Sequence, residues 1–166
     1  MRRNRLAIEV GLRRLRPGDA KALSRLLLSA PPGYSRFFIP FDFAFASVAA
    51  ILRRAKDDLF FAIEAGGDLA GFYMLRGFDQ GYEVPAYGVW VAPAYQSRGL
   101  ATLTLLHAFA LCRMNGIGRL MLKVHPENAA AMRLYEKMGF MRTGIDAGNG
   151  HFVYHKEFPR GQKEDA

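Results

Sequence analysis

The hexapeptide Gln96-Ser97-Arg98-Gly99-Leu100-Ala101 stands between an apolar run and the start of a long apolar helical pattern. A strand-to-helix turn of this kind aims backbone N–H groups at one point, where the helix N-terminus adds partial positive charge. Pyrophosphate is the ligand such a turn suits. Gly99 lets the backbone approach an anion closely, and Ala101 is small enough for close packing. Arg98 can add a charge-assisted contact of roughly 1.5–3 kcal/mol where it reaches an oxygen. Read alone, the same residues also describe an ordinary turn with a solvated arginine.

Two further residues lie seven positions apart on a later helical pattern, Asn128 and Tyr135. That spacing puts them on one helix face, about 10.5 Å apart along the axis. Asn128 also stands where a helix N-cap is wanted, and Tyr135 also fits a core tyrosine at a helix–sheet seam. His107 falls on an apolar stripe and reads as a satisfied core histidine. Cys112 reads as a small buried apolar group, and His151 and His155 as surface residues of a terminal strand. No cluster has metal-ligand spacing, so no metal is expected.

The elements that must position these residues follow from pattern. Residues 6–15 read as an opening strand, and Pro17-Gly18-Asp19 starts a helix running to about residue 29. A proline-bounded aromatic loop, residues 31–41, separates it from a second, alanine-rich helix over residues 43–56. Strands over 59–64 and 69–75 form a hairpin, and a third covers 83–92, interrupted by Pro85. Residues 97–115 are helical, with Leu100, Leu103, His107, Ala110, Leu111 and Met114 on one stripe. A strand over 119–124, a helix over 126–138 closed by Gly139, and strands over 140–145 and 152–158 complete the chain. Hairpin strands followed by β-α-β crossovers imply an α/β (α+β) domain, a mixed sheet with helices on both faces. No linker or repeat divides residues 1–166, which read as a single domain.

Composition limits the function classes. The 166 residues, 51% hydrophobic, can bury a sizeable core. No apolar run is long enough to span a bilayer, and the basic start Met1-Arg2-Arg3-Asn4-Arg5 lacks the apolar stretch of a signal peptide. One cysteine cannot form an internal disulfide, which fits a cytoplasmic location. A net charge of +8 suits an anionic partner such as a phosphorylated cofactor. No nucleic-acid-binding motif accompanies that charge, so neither nucleic acid nor membrane is expected as a partner.

The turn is preceded by Val89-Trp90-Val91-Ala92-Pro93-Ala94-Tyr95, and that whole stretch resembles the acyl-CoA signature of the GNAT N-acetyltransferase superfamily. The block Asn128-Ala129-Ala130-Ala131-Met132-Arg133-Leu134-Tyr135-Glu136-Lys137-Met138-Gly139-Phe140 resembles that family's other common motif. The resemblance implies a mostly antiparallel sheet of about six to seven strands with splayed central strands, and acetyl-CoA as cosubstrate. It implies that Val89, Trp90 and Val91 offer backbone groups to the pantetheine arm. Gln96, Ser97, Arg98, Gly99, Leu100, Ala101 and Thr102 would hold the pyrophosphate, with Asn128 on the pantetheine or phosphate region. Tyr135 would protonate the leaving thiolate. A backbone amide of the splayed strand would stabilise the oxyanion.

The expected reaction is direct attack of a primary amine on the thioester, which requires that the amine lose a proton. Some members that acetylate protein N-termini carry a glutamate where this chain has Lys123, a departure that counts against a protein or peptide acceptor. Glu83 is then the best catalytic base, with His125 or a water path as alternatives. Tyr34, Arg36 and Phe37, in the aromatic loop, are the expected acceptor-binding residues, suited to a small molecule and to a nucleotide-linked amino-sugar in particular. A non-catalytic acyl-CoA-binding module is the competing reading, and a homodimer is compatible with either.

Overall fold

The computed structural model describes residues 8–159. The basic N-terminal residues and the first two positions of the expected opening strand lie outside them. The elements are β1 (Val10–Arg14), α1 (Ala20–Leu28), α2 (Phe45–Arg54), β2 (Leu59–Ala65), β3 (Asp68–Arg76), β4 (Ala86–Val91), α3 (Leu100–Met114), β5 (Arg119–Val124), α4 (Ala129–Lys137), β6 (Met141–Ile145) and β7 (Phe152–Glu157). They form one seven-stranded sheet in the order β1-β2-β3-β4-β5-β7-β6. Every neighbouring pair is antiparallel except β4 and β5, which are parallel.

Side-chain alternation along the strands sends apolar residues to both faces. On one face Phe60, Ala62, Phe72, Met74 and Trp90 pack against Leu23 and Leu27 of α1 and Val48 and Leu52 of α2. On the other, Tyr73, Tyr87, Leu120, Leu122 and Tyr154 pack against Leu105, Phe109 and Cys112 of α3 and Tyr135 of α4. Cys112 is fully buried, and burial pushes its thiol up to about 11, so it stays a protonated apolar filler. His107 is half-buried and bonds through Nδ1 to the Tyr73 hydroxyl.

Strand β4 has two unlike edges. Toward β3 it is paired along its whole length, from Gly71↔Val91 to Arg76↔Ala86. Gly71 is required there, because a Cβ at that position would lie 2.2 Å from the Trp90 carbonyl oxygen. Toward β5 only one register pair exists, Ala86↔Met121, after which the two strands diverge. The Ala92 amide donates to the Ala70 carbonyl at 2.8 Å, which fixes which backbone groups turn which way. Alternation then sends the Trp90 groups to β3 and those of Val89 and Val91 into the gap.

Three differences from the pattern reading have physical causes. Residues 83–85 are not strand; β4 begins just after Pro85, which has no N–H to give a ladder. Helix α3 begins at Leu100 rather than residue 97, because Ser97 (φ 59°) and Gly99 (φ 83°) are left-handed. Its buried side is Leu100, Thr104, Leu105, Ala108, Phe109 and Cys112, whereas Leu103 and Met114 of the expected stripe are exposed. A helix apolar nearly all round carries no periodic signal strong enough to choose its inward face.

Candidate functional site

The gap between β4 and β5 leads directly into the turn before α3. Gly99 is the N-cap of α3 and gives it no side-chain cap, while its carbonyl accepts the Leu103 amide at 2.9 Å. Among the described residues, the amides of Ser97, Arg98, Gly99, Leu100, Ala101 and Thr102 have no acceptor in the chain. The first four amides, here Gly99 to Thr102, lack intrahelical partners in any helix, but left-handed backbone at two positions extends the row upstream by Ser97 and Arg98. An anion with several oxygens fits such a nest, the dipole of a fifteen-residue helix adding to it. Gln96, Ser97 and Arg98 are exposed, and Leu100 buries its side chain against Ile63 and Ala70, so its amide alone is on offer.

The backbone groups of Val89 and Val91 face the gap, whereas those of Trp90 do not. The Trp90 backbone is committed to β3, and its indole lies on the α1/α2 face, donating from Nε1 to Ser35 Oγ at 2.8 Å. Tyr34 stacks edge-on against the same indole, and its hydroxyl donates to the Val91 carbonyl at 2.6 Å. One Val91 group that faces the gap is therefore already satisfied by the protein.

Asn128 caps α4, its side-chain oxygen accepting the Ala131 amide at 3.3 Å. Tyr135 sits on the inner side of α4, edge-on to Tyr87 of β4 with ring centroids 6.3 Å apart. It is 9% exposed and, among the described residues, its hydroxyl has no partner. Burial pushes its phenol up to about 12, so near neutrality it holds its proton.

On the opposite face a cavity of about 840 Å³ lies over the β4–β5 junction. Phe37, Phe38, Ile39 and Pro40 of the aromatic loop form one wall, Tyr82, Glu83 and Val84 another, and Ala86, Tyr87, Met121 and Lys123 the floor. Asn149, His151 and His155 close it from the β7 side. Of the expected acceptor residues only Phe37 lines this cavity. Tyr34 lies behind it on Trp90, and Arg36 points to solvent with its guanidinium 4.4 Å from the Phe37 ring centroid. Glu83 is an exposed carboxylate in the loop before β4. Lys123 is held by Asp146 at 2.5 Å.

The pattern reading missed His151 and His155. It placed them on a surface strand, but both are half-buried and line the cavity. Their alternation with Phe152 and Tyr154, which face the α3/α4 core, is the signal that both faces of this strand are covered. Among the described residues, no group of three or more His, Cys, Asp or Glu side chains is placed to hold a metal ion. No helix among them is long and apolar enough to cross a membrane.

An open mixed sheet with a splayed parallel pair, a nest of free amides at a helix start and a cavity across the sheet define an acetyltransferase-type fold. The chain belongs to the acetyltransferase (GNAT) family, whose model matches residues 23–140. It is similar to streptothricin acetyltransferase of Streptomyces lavendulae, 34% identical over 93 residues that cover 56% of this chain and 49% of that protein. It is also similar to mycothiol acetyltransferase of Thermobispora bispora, 37% identical over 92 residues, covering 52% of this chain and 31% of that protein. The chain thus spans half or less of these curated relatives. Among solved structures, the PaiA N-acetyltransferase of Thermoplasma acidophilum in complex with coenzyme A superposes with a TM-score of 0.73, covering 90% of this chain and 99% of that one. At 20% identity that likeness establishes the fold.

Proposed function

We propose that this chain transfers an acetyl group from acetyl-CoA to the primary amine of a small molecule. One observation carries the reading: the row of acceptor-less amides from Ser97 to Thr102 stands at the mouth of a gap whose inner end meets the buried Tyr135. The nest fits a pyrophosphate. The Val89 groups that face the gap fit an extended amide-bearing arm, as an added strand would. Asn128 spends its side-chain oxygen on the cap, which leaves its amide N–H₂ for such a ligand.

Acetyl-CoA, when bound, supplies an acetyl group activated as a thioester. The chain's residues do the rest. The Val89 amide is placed to donate to an oxygen that gains negative charge. Tyr135, its phenol pushed up by burial to about 12, holds a proton near the gap for the departing sulfur. Glu83, exposed at the cavity rim, attracts an ammonium, and Phe37, Phe38 and Tyr82 give the acceptor apolar surface and exclude water.

A small acceptor is favoured by the walled, aromatic cavity and by Lys123, paired with Asp146 where a carboxylate would be wanted for peptide N-termini. The names of the similar proteins, streptothricin and mycothiol acetyltransferases, point the same way. An amino-sugar acceptor fits the aromatic walls, since sugar rings stack on such faces.

Coenzyme A release should be followed with acetyl-CoA and a panel containing streptothricin, glucosamine, tyramine, spermidine and a short peptide. Release with one or more of the small amines, exceeding the peptide, is the expected result. Binding of acetyl-CoA without release for any amine would overturn the catalytic reading and leave an acyl-CoA-binding module.

A further inference from the structure

We propose that His155 is the catalytic base, taking the proton that the acceptor amine gives up, in place of the exposed carboxylate Glu83. The inference rests on the acetyl-transfer reading and adds the residue that completes it.

Hydrogen bonding to Thr143 offers His155 the state that a base needs. The Thr143 hydroxyl, on the neighbouring strand β6, lies 3.3 Å from the Val153 carbonyl, to which it donates its single proton. The same oxygen is 2.6 Å from His155 Nδ1. In the proposed state Thr143 gives its proton to the Val153 carbonyl and accepts from Nδ1–H, which leaves Nε2 with a bare lone pair. His155 lines the cavity, and Met121, which pairs with His155 on one side and Ala86 on the other, sets it in one row with the point where β4 and β5 part. His125 is in the opposite state: the Glu127 amide donates to its Nδ1 at 3.1 Å, which engages its lone pair and leaves Nε2 as the donor.

Burial, more than the charges around it, favours neutral His155. Burial pulls its pKa below the ordinary value, and Arg119 adds to this while Glu157 opposes it. Arg119 and Glu157 pair at 2.6 Å, and Lys123 pairs with Asp146. Arg76, Glu83, His151 and the phenols of Tyr82 and Tyr87 are the other titratable or charged groups of the cavity.

The neutral form of the amine attacks. Its nitrogen forms a bond to the acetyl carbon as its proton passes to His155 Nε2. The carbon–sulfur bond breaks with its electron pair going to sulfur, which takes the proton of Tyr135. Solvent removes the proton from His155 and returns one to Tyr135.

Two measurements on the full chain test this. A long-range ¹H–¹⁵N spectrum of the imidazoles near neutral pH should show Nε2 of His155 unprotonated, with the preference weakened in Thr143→Val. In steady-state assays with streptothricin, glucosamine and tyramine, His155→Gln should lower kcat/KM about 10²-fold with acetyl-CoA affinity unchanged. It should also remove the histidine's inflection from the acid side of the kcat/KM profile, leaving the rise due to the amine's own deprotonation, and free imidazole should restore part of the activity of His155→Ala. Glu83→Gln should keep the pH profile and raise the acceptor KM. A protonated Nε2 in the resting protein would overturn the assignment. So would an unchanged profile in His155→Gln, or its loss in Glu83→Gln instead. A wild-type chain that binds acetyl-CoA but acetylates none of the amines would overturn the transfer reading itself, and the base with it.

Discussion

The two sides of the sheet at β4 are built by different means. The side proposed for acetyl-CoA is made of backbone: free amides at the start of α3, the gap-facing groups of Val89 and the Val91 amide. The side proposed for the acceptor is made of side chains, brought from the aromatic loop, the loop before β4, and strands β5 and β7. A backbone site tolerates changes in most of its side chains and is sensitive to a change of dihedral. A side-chain site is the reverse, and each wall can be re-shaped alone. This division lets a constant donor be held by fixed geometry while the acceptor varies.

The largest expected effect lies where the two sides meet. Tyr135→Phe keeps the ring against Tyr87 and Phe140 but removes the hydroxyl. Turnover should fall about 10²-fold, the low end for general acid catalysis, because a thiol is a fair leaving group. Acetyl-CoA affinity and melting temperature should hardly move, since the lost contact matures only in the transition state. Lost stability with unchanged turnover would return Tyr135 to the core.

Next is the backbone site. Gly99 has φ 83° and a Cβ there would meet nothing within 4 Å, so Gly99→Val is opposed by dihedral strain alone. Strain of about 1–3 kcal/mol predicts acetyl-CoA binding weakened roughly 5- to 150-fold, read by calorimetric titration. Normal binding in a folded Gly99→Val protein would break the claim that conformation makes the site.

Smaller effects sharpen the contrast. Phe37→Ala removes a cavity wall and should raise the acceptor KM about 10-fold, a loss of about 1.4 kcal/mol, with acetyl-CoA affinity unchanged. Arg36→Ala should alter either constant by less than about 2-fold, because its side chain is solvated and outside the cavity. A large effect of Arg36→Ala on the acceptor KM would mean that the loop closes over the ligand.

Legibility followed the same division. The turn was readable because Gly99, Ala101 and the preceding apolar strand are contiguous, and a backbone site is written in consecutive residues. The order of elements was readable from period and from Gly and Pro punctuation. The inward face of α3 was not, since apolar residues surround that helix. The cavity was only partly readable, with Phe37 and Glu83 found and His151 and His155 taken for surface. The insertion of β7 between β5 and β6 carries those histidines to the cavity, and such strand order is a non-local fact.

The central claim is that the amides before and within the first turn of α3 hold the cosubstrate. The most direct measurement is a titration of ¹⁵N-labelled protein with acetyl-CoA, following each backbone amide. The amides of residues 97–102 should show the largest shifts, with those of Val89 and Val91 next and the cavity residues Met121 and His155 little changed. Shifts concentrated in the cavity, or binding that leaves residues 97–102 unmoved, would contradict the account.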